Sequence, residues 1–328
     1  LADEKDLHIA EEILDYLRLF SQDLLLTGSG EWQWLQANKQ REFIRTLQSM
    51  NKINLATNLA NMFILDATYG YVSPSFQDAN ERHDDVKSNI LCNIDTCIEF
   101  TQLKDISCIS IPSNTGNPFG YFCDGKVVLP DTPRHYYYAS NIHRLLEENH
   151  IQPLIIEIGG GYGGLCLQLH KVFSSQCKVI NIDLLPALIT AYYFLKKHDV
   201  SVQFISNSSL TELESGTIYL YPACDIRMMS DNSQFMNPHL IFNSRSMCEM
   251  SFDSCMDYIT LINRSKPNFF YHENSNFLLY PNSKRHIELM SNQINDKLHC
   301  LKLHSQYLTP FTGGSGRYRE YIFQSINK

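Results

Sequence analysis

The sequence predicts an α/β fold, a mostly parallel sheet with an antiparallel pair at its C-terminal edge, preceded by an α-helical N-terminal domain. Three observations carry this. From residue 154 onward, short apolar runs alternate with helical segments, the pattern of a parallel sheet covered on both faces. The run LIIEIGGGYGGL sets an apolar strand, a glycine cluster and a helix-forming stretch in direct succession. The first hundred residues, by contrast, have helical periodicity and no strand followed by a glycine turn.

Residues 1–110 read as a helical cap. Leu7, Ala10, Leu14, Leu17 and Leu24 keep one stripe, Phe43, Leu47 and Met50 another, and the charged run 78–87 reads as a solvated helix face. Residues 111–133 are punctuated by Pro112, Gly116, Pro118, Gly120, Gly125, Pro130 and Pro133, too often for a long helix, and are expected to form a linker or lid. Residues 134–328 are expected to form the α/β domain, opening with a helix over 134–149. Strands are expected at 154–158, 178–182, 217–221, 240–243 and 268–272. Two more, at 298–304 and 318–326, are joined by a glycine-rich loop instead of a helix, which makes them the antiparallel edge pair. There is no internal repeat or low-complexity tract.

Composition narrows the function. A chain of 328 residues with 44% hydrophobic content can bury a large core. Its net charge of −8, with both signs interspersed, leaves no basic stripe for a phosphate backbone, so nucleic acid is not expected as a partner. No run approaches the roughly 18–20 apolar residues of a membrane span, and the opening LADEKDLH lacks the basic and apolar parts of a signal peptide, so a cytoplasmic location is expected. Ten scattered cysteines without a CxxC pair read as free thiols. A homo-oligomer is compatible with the sequence.

The glycine turn is the strongest chemical signal. Glycines there allow positive φ and let a ligand lie against bare backbone, while the following helix offers free N–H groups to an anion. Gly159, Gly161 and Gly164 satisfy GxGxxG, and Asp183 follows at the expected distance of about 20 residues. The spacing alone does not separate NAD from S-adenosylmethionine. Glu157, inside the strand two residues before the first glycine, does favour the latter, because a carboxylate there can hold the methionine part of a cationic cofactor. So does the order of the domain, which opens on the glycine turn and ends in the antiparallel pair. Asp183, placed to accept bonds from both ribose hydroxyls, is common to both. The expected cofactor contacts are Glu157, Gly159, Gly160, Gly161, Tyr162, Gly163, Asp183 and Leu184, with Asn243 and Ser244 after the fourth strand.

Taken together, EIGGGYGGL at 157–165, IDLLPALITAYYFL at 182–195, FNSRSMCEMSFDSCMDYI at 242–259 and FFYHEN at 269–274 resemble the sugar O-methyltransferases of bacterial surface-glycan and related biosynthetic clusters. GNPFGY at 116–121 and RHYYYASNI at 134–142 fit as well, so the resemblance covers roughly residues 110–325; His239 departs from it, standing where an acid is expected before the fourth strand. It implies a Rossmann-like fold, S-adenosylmethionine as donor, and a sugar, nucleotide-sugar or glycan-precursor hydroxyl as acceptor.

In open parallel sheets, ligands sit at the carboxyl ends of the strands. That rule selects His272 or Glu249 as the base for a hydroxyl, with His272 favoured because a histidine can be poised near neutral pH. Glu249 has a competing role, since Ser246-x-x-Glu249 before a helical run is a capping box. Tyr136, Tyr137, Ser246, Asn274 and Arg317 are the expected acceptor contacts, although the tyrosines also suit helix packing and His272 a buried core position. His135 and His143 have no further ligands at metal spacing, so no metal site is expected. Two other readings stay open: an NAD(P)-dependent nucleotide-sugar oxidoreductase, and a non-catalytic methyltransferase-like partner protein.

Overall fold

The computed structural model describes residues 2–20, 22–146, 152–206, 212–229, 232, 235–276, 289–312 and 317–326. The end of the helix expected over 134–149 and the glycine-rich loop at 313–316 lie outside these residues.

The N-terminal region is helical: α1 Glu4–Leu17, α2 Glu31–Asn38, α3 Arg41–Gln48, α4 Lys52–Leu59, α5 Phe76–Glu81 and α6 His83–Phe100. α1 begins where the Asp3 carboxylate accepts from the Asp6 N–H and the Asp6 carboxylate accepts from the Asp3 N–H. Its buried stripe, Ile9, Ala10, Ile13, Leu14 and Leu17, lies against α4 and against the later helix α9, Leu185–Lys197. The contact is sealed by Asp6, which is buried and accepts from Tyr193 Oη at 2.8 Å and Lys197 Nζ at 2.9 Å. Each fully buried large apolar side chain contributes about 1.5–3 kcal/mol, so α1 is held by its stripe and oriented by the ion pair.

Residues 111–133 are not simply a connection. They form a small antiparallel sheet, β1 Ile111–Pro112, β2 Tyr121–Cys123 and β3 Lys126–Val128, in the order β1-β3-β2. The α7 helix, Thr132–Leu146, then leads into the main sheet.

The strands of that sheet are β4 Leu154–Ile158, β5 Lys178–Asp183, β6 Ser201–Phe204, β7 Thr217–Pro222, β8 Leu240–Ser244, β9 Phe269–Ser275, β10 Leu301–Leu308 and β11 Tyr318–Ser325. Their order is β10-β11-β9-β8-β4-β5-β7-β6. From β9 to β6 every pairing is parallel; β11 runs antiparallel to β9 and β10 antiparallel to β11. This is a Rossmann-like doubly wound sheet with an antiparallel edge. β6, a four-residue edge strand, was not evident in the sequence. His239, the departure noted above, has a structural position: its Nδ1 accepts from the Leu154 N–H at 2.9 Å and aligns the starts of β4 and β8.

The helices α8 Gly164–Val172 and α9 Leu185–Lys197 cover one face, together with α7 and the N-terminal helices, in one continuous apolar core. The other face is covered by α10 Ile226–Met229, α11 Phe252–Ser265 and α12 Ser291–Asn295. Among the described residues no helix is long and apolar enough to cross a membrane.

Candidate active site

Strand order reverses at β4, whose neighbours are β5 and β8, and open sheets bind ligands at such switch points. A cavity of about 800 Å³ lies there, between the carboxyl ends of these strands and the N-terminal helical region. Its floor is the turn after β4. Gly159, Gly161 and Gly163 have φ of 73°, 54° and 84°, and a Cβ at Gly159 would lie 2.1 Å from Ser246 Oγ. Conformation therefore favours glycine at all three positions, and at Gly159 space demands it as well. Gly163 caps α8, whose first turn faces the same turn.

Two carboxylates flank this floor. Asp183, at the end of β5, accepts from the Gly161 N–H at 2.7 Å and the Leu184 N–H at 2.6 Å, one on each oxygen. A carboxylate has about four acceptor positions, so two remain. Burial raises its pKa to about 6 against these two donors. Glu157, 5% exposed, accepts from Cys166 Sγ at 3.0 Å, and burial raises its pKa to about 7. A thiol is a weak donor, so this carboxylate is far better matched to a cation than to its protein surroundings.

A second polar group of side chains stands at the ends of β8 and β9. Glu273, fully buried, accepts from Ser244 Oγ at 2.7 Å and from Arg245 Nη2 at 3.1 Å and Nε at 3.2 Å. Arg134 Nη1 stands 3.6 Å from it, donates to Ser244 Oγ at 2.8 Å, and the same guanidinium reaches Asp131. Burial alone would raise the Glu273 carboxyl, but Arg245 and Arg134 outweigh it and hold it at about 2. Arg245 adopts φ of 62° and its guanidinium lies over the Tyr318 ring, as does that of Arg317.

Of the residues singled out from sequence, the structure brings Glu157, Gly159, Gly160, Gly161, Tyr162, Asp183, Leu184, Ser244, Ser246, Glu249 and Arg317 into the lining of this one cavity. Asn243 stands behind the wall, where its amide donates to the Ile158 carbonyl and to Ser246 Oγ and so holds the loop after β8 against the glycine turn. Gly163, which caps α8, does not line the cavity either, and further expectations need correction. His272 does not line the cavity: side chains alternate along a strand, and its ring points to the opposite face, stacked on Phe270 and Tyr321 with Nε2 2.8 Å from Asn295 Oδ1. Burial lowers its pKa to about 4. Asn274 shares that parity and bonds Asn243 Oδ1 at 2.8 Å instead of facing the cavity. Tyr137 is buried with its hydroxyl on Glu320, and Tyr136 packs against the core of α6 and β3; neither reaches the cavity, whereas Tyr138 does. Ser246 and Glu249 form no capping box, because α11 starts at Phe252 with Ser251 as its cap.

Sequence reasoning missed Arg134, His135 and Arg245, which complete the cavity wall. His135 was set aside for lack of metal spacing, yet its Nδ1 is buried with no hydrogen-bond partner among the described residues, and a Cβ at Gly164 would come within 2.5 Å of it. Burial, and then Arg134 and Arg245, push its pKa well below the usual range, so the ring is neutral. The signal available was adjacency: RHY opens the helix that precedes the glycine strand.

No family model matches the sequence, and no curated protein matches it. Similar solved structures include the small RNA methyltransferase HEN1, at 15% identity over 60% of this chain and 25% of that one, with a TM-score of 0.43. The chain thus matches a quarter of that protein's length. Two others are the methyltransferase domain of a bacterial Hen1 (14% identity, 57% and 96% coverage, TM-score 0.40) and the magnesium protoporphyrin IX methyltransferase of Synechocystis PCC 6803 with bound SAM (11% identity, 59% and 81%, TM-score 0.37). What each of these acts on is a property of that protein.

Proposed function

We propose that the chain is an S-adenosylmethionine-dependent methyltransferase that methylates a hydroxyl of a sugar, nucleotide-sugar or glycan precursor. The observation that carries the donor is the pairing of Glu157 and Asp183 around one glycine turn. Glu157 offers a carboxylate to a cationic group, Asp183 keeps two free acceptor positions for vicinal hydroxyls, and the turn at Gly159, Gly160 and Gly161 carries no Cβ. When bound, S-adenosylmethionine supplies an electrophilic methyl group on a sulfonium.

The chain's own residues then have to orient the acceptor, exclude water and take a proton. The loop after β8 and the arginines anchored by Glu273 give a rigid polar wall for a hydroxylated acceptor. Of the cavity-wall groups able to accept a proton, His135 is the one we assign as base: its ring lines the cavity, and burial together with Arg134 and Arg245 favours its unprotonated form. Glu249 is the alternative on the same wall.

Calorimetry with S-adenosylhomocysteine and with NADH tests the donor; binding of NADH in place of S-adenosylhomocysteine would overturn it. Incubation with labelled S-adenosylmethionine and a nucleotide-sugar extract tests the acceptor. A +14 Da sugar product is expected, and a +14 Da product of another class refutes the sugar assignment.

A further inference from the structure

The N-terminal helical region does more than cover the sheet. Trp32, at the start of α2, and Tyr71, in the loop before α5, stack with ring centroids 4.9 Å apart and planes 19° from parallel, and both line the cavity. Tyr71 stands directly over the cofactor turn: a Cβ on Gly161 would be 3.4 Å from Tyr71 Cβ. Gly70 makes the stack possible, since at φ of 90° its position leaves 3.2 Å between a built Cβ and Trp32 Cη2. The loop that carries Trp32 is fixed to the far side of the cavity. Ser29 Oγ lies 2.8 Å from Ser254 Oγ and accepts from the Ser251 N–H at 3.3 Å, while Gly30 passes so close to the Glu249 carbonyl that a Cβ would be 2.6 Å away.

An aromatic ring that lines a cavity offers a surface that water wets poorly and that a flat heteroaromatic ring fits. The same cavity is also lined by apolar side chains, among them Leu184 and Ile226, which follow the ends of β5 and β7. We propose that the Trp32–Tyr71 stack is a binding wall for the planar nucleobase of the cofactor, so that the N-terminal region supplies part of the nucleoside site and the α/β domain alone does not complete it. This rests on the cofactor assignment above.

The chain has two tryptophans, and Trp34 is half exposed and outside the cavity. In the full-length Trp34→Phe variant, Trp32 is therefore the sole tryptophan reporter. Titration with S-adenosylhomocysteine is expected to quench or shift its emission with the same Kd that calorimetry gives. Trp32→Ala is expected to weaken that Kd by about 5- to 150-fold, the range for loss of one base-stacking partner, with Trp32→Phe recovering most of it. Calorimetric binding without any change in Trp32 emission overturns the wall and leaves the cofactor assignment standing. Absence of calorimetric binding in the parent chain overturns both. Because the emission test leaves residue 32 intact, a Trp32→Ala chain that fails to fold does not remove it.

Discussion

The ends of β4 and β5 and the ends of β8 and β9 carry similar side chains, acids and polar groups at the rim of one cavity, yet they differ in how well the protein satisfies them. Glu273 is held by one hydroxyl and two guanidinium groups and titrates at about 2. Glu157, also buried, and Asp183, which is part-exposed, receive only a thiol and two backbone N–H groups, and their carboxyls are raised to about 7 and 6. A folded chain keeps a buried carboxyl undersatisfied at a cost, and perturbed groups of this kind gather where a ligand completes them. A carboxylate locked between arginines instead builds the wall.

The largest expected effect tests whether the reacting end has been placed on the right histidine. His135→Gln is expected to lower kcat by about 10²- to 10⁴-fold with S-adenosylhomocysteine affinity nearly unchanged. His272→Gln is expected to lower Tm while the folded fraction turns over normally. Turnover near the parental value in His135→Gln together with a folded, inactive Glu249→Gln would move the base to Glu249.

Next comes the saturated end. Glu273→Gln leaves the Arg134 and Arg245 guanidinium groups facing each other without their carboxylate, and a loss of about 3–5 kcal/mol in unfolding free energy is expected, measured by urea denaturation. A loss below 1 kcal/mol would mean that the network is dispensable and that the contrast between the two ends is not one of stability against binding.

At the open end, Asp183→Ala is expected to weaken S-adenosylhomocysteine binding by about 1–3 kcal/mol by calorimetry, with a smaller effect on unfolding than Glu273→Gln. The smallest effect is a pH dependence. With Glu157 at about 7, binding of a cation requires its ionised form, so S-adenosylmethionine affinity is expected to be constant above pH 7 and to fall below it. The limiting slope is about tenfold per pH unit, and Glu157→Gln is expected to abolish it. A slope of opposite sign would exclude Glu157 as the partner of the positive charge.

The same comparison explains what could be read from the sequence. The open end is local: a strand, three glycines and two acids at fixed spacing, each determined by its immediate neighbours in the chain. The parallel sheet follows from the alternation of strands and helices, and the antiparallel edge from the glycine-rich loop that joins its last two strands, whereas the order of the strands is seen only in the structure. The wall is non-local. That Glu273 and not His272 faces Arg134 depends on which face of β9 meets α7, and period-two alternation gives two faces without saying which is which. The capping box of Ser246 and Glu249 failed for a similar reason, because Ser246 is drawn away to Asn243 and the helix begins one turn later.

The buried ion pair between α1 and α9 has a consequence for how the chain is made. Lys197 lies 191 residues after Asp6, so during synthesis the acid emerges about 10–40 s before its partner at 5–20 residues per second. Throughout that interval α1 has its apolar stripe but lacks both α9 and its counter-charge. α4, which follows within the N-terminal region, can cover part of the stripe early, but the contact with α9 is a long-range event that must wait for the α/β domain.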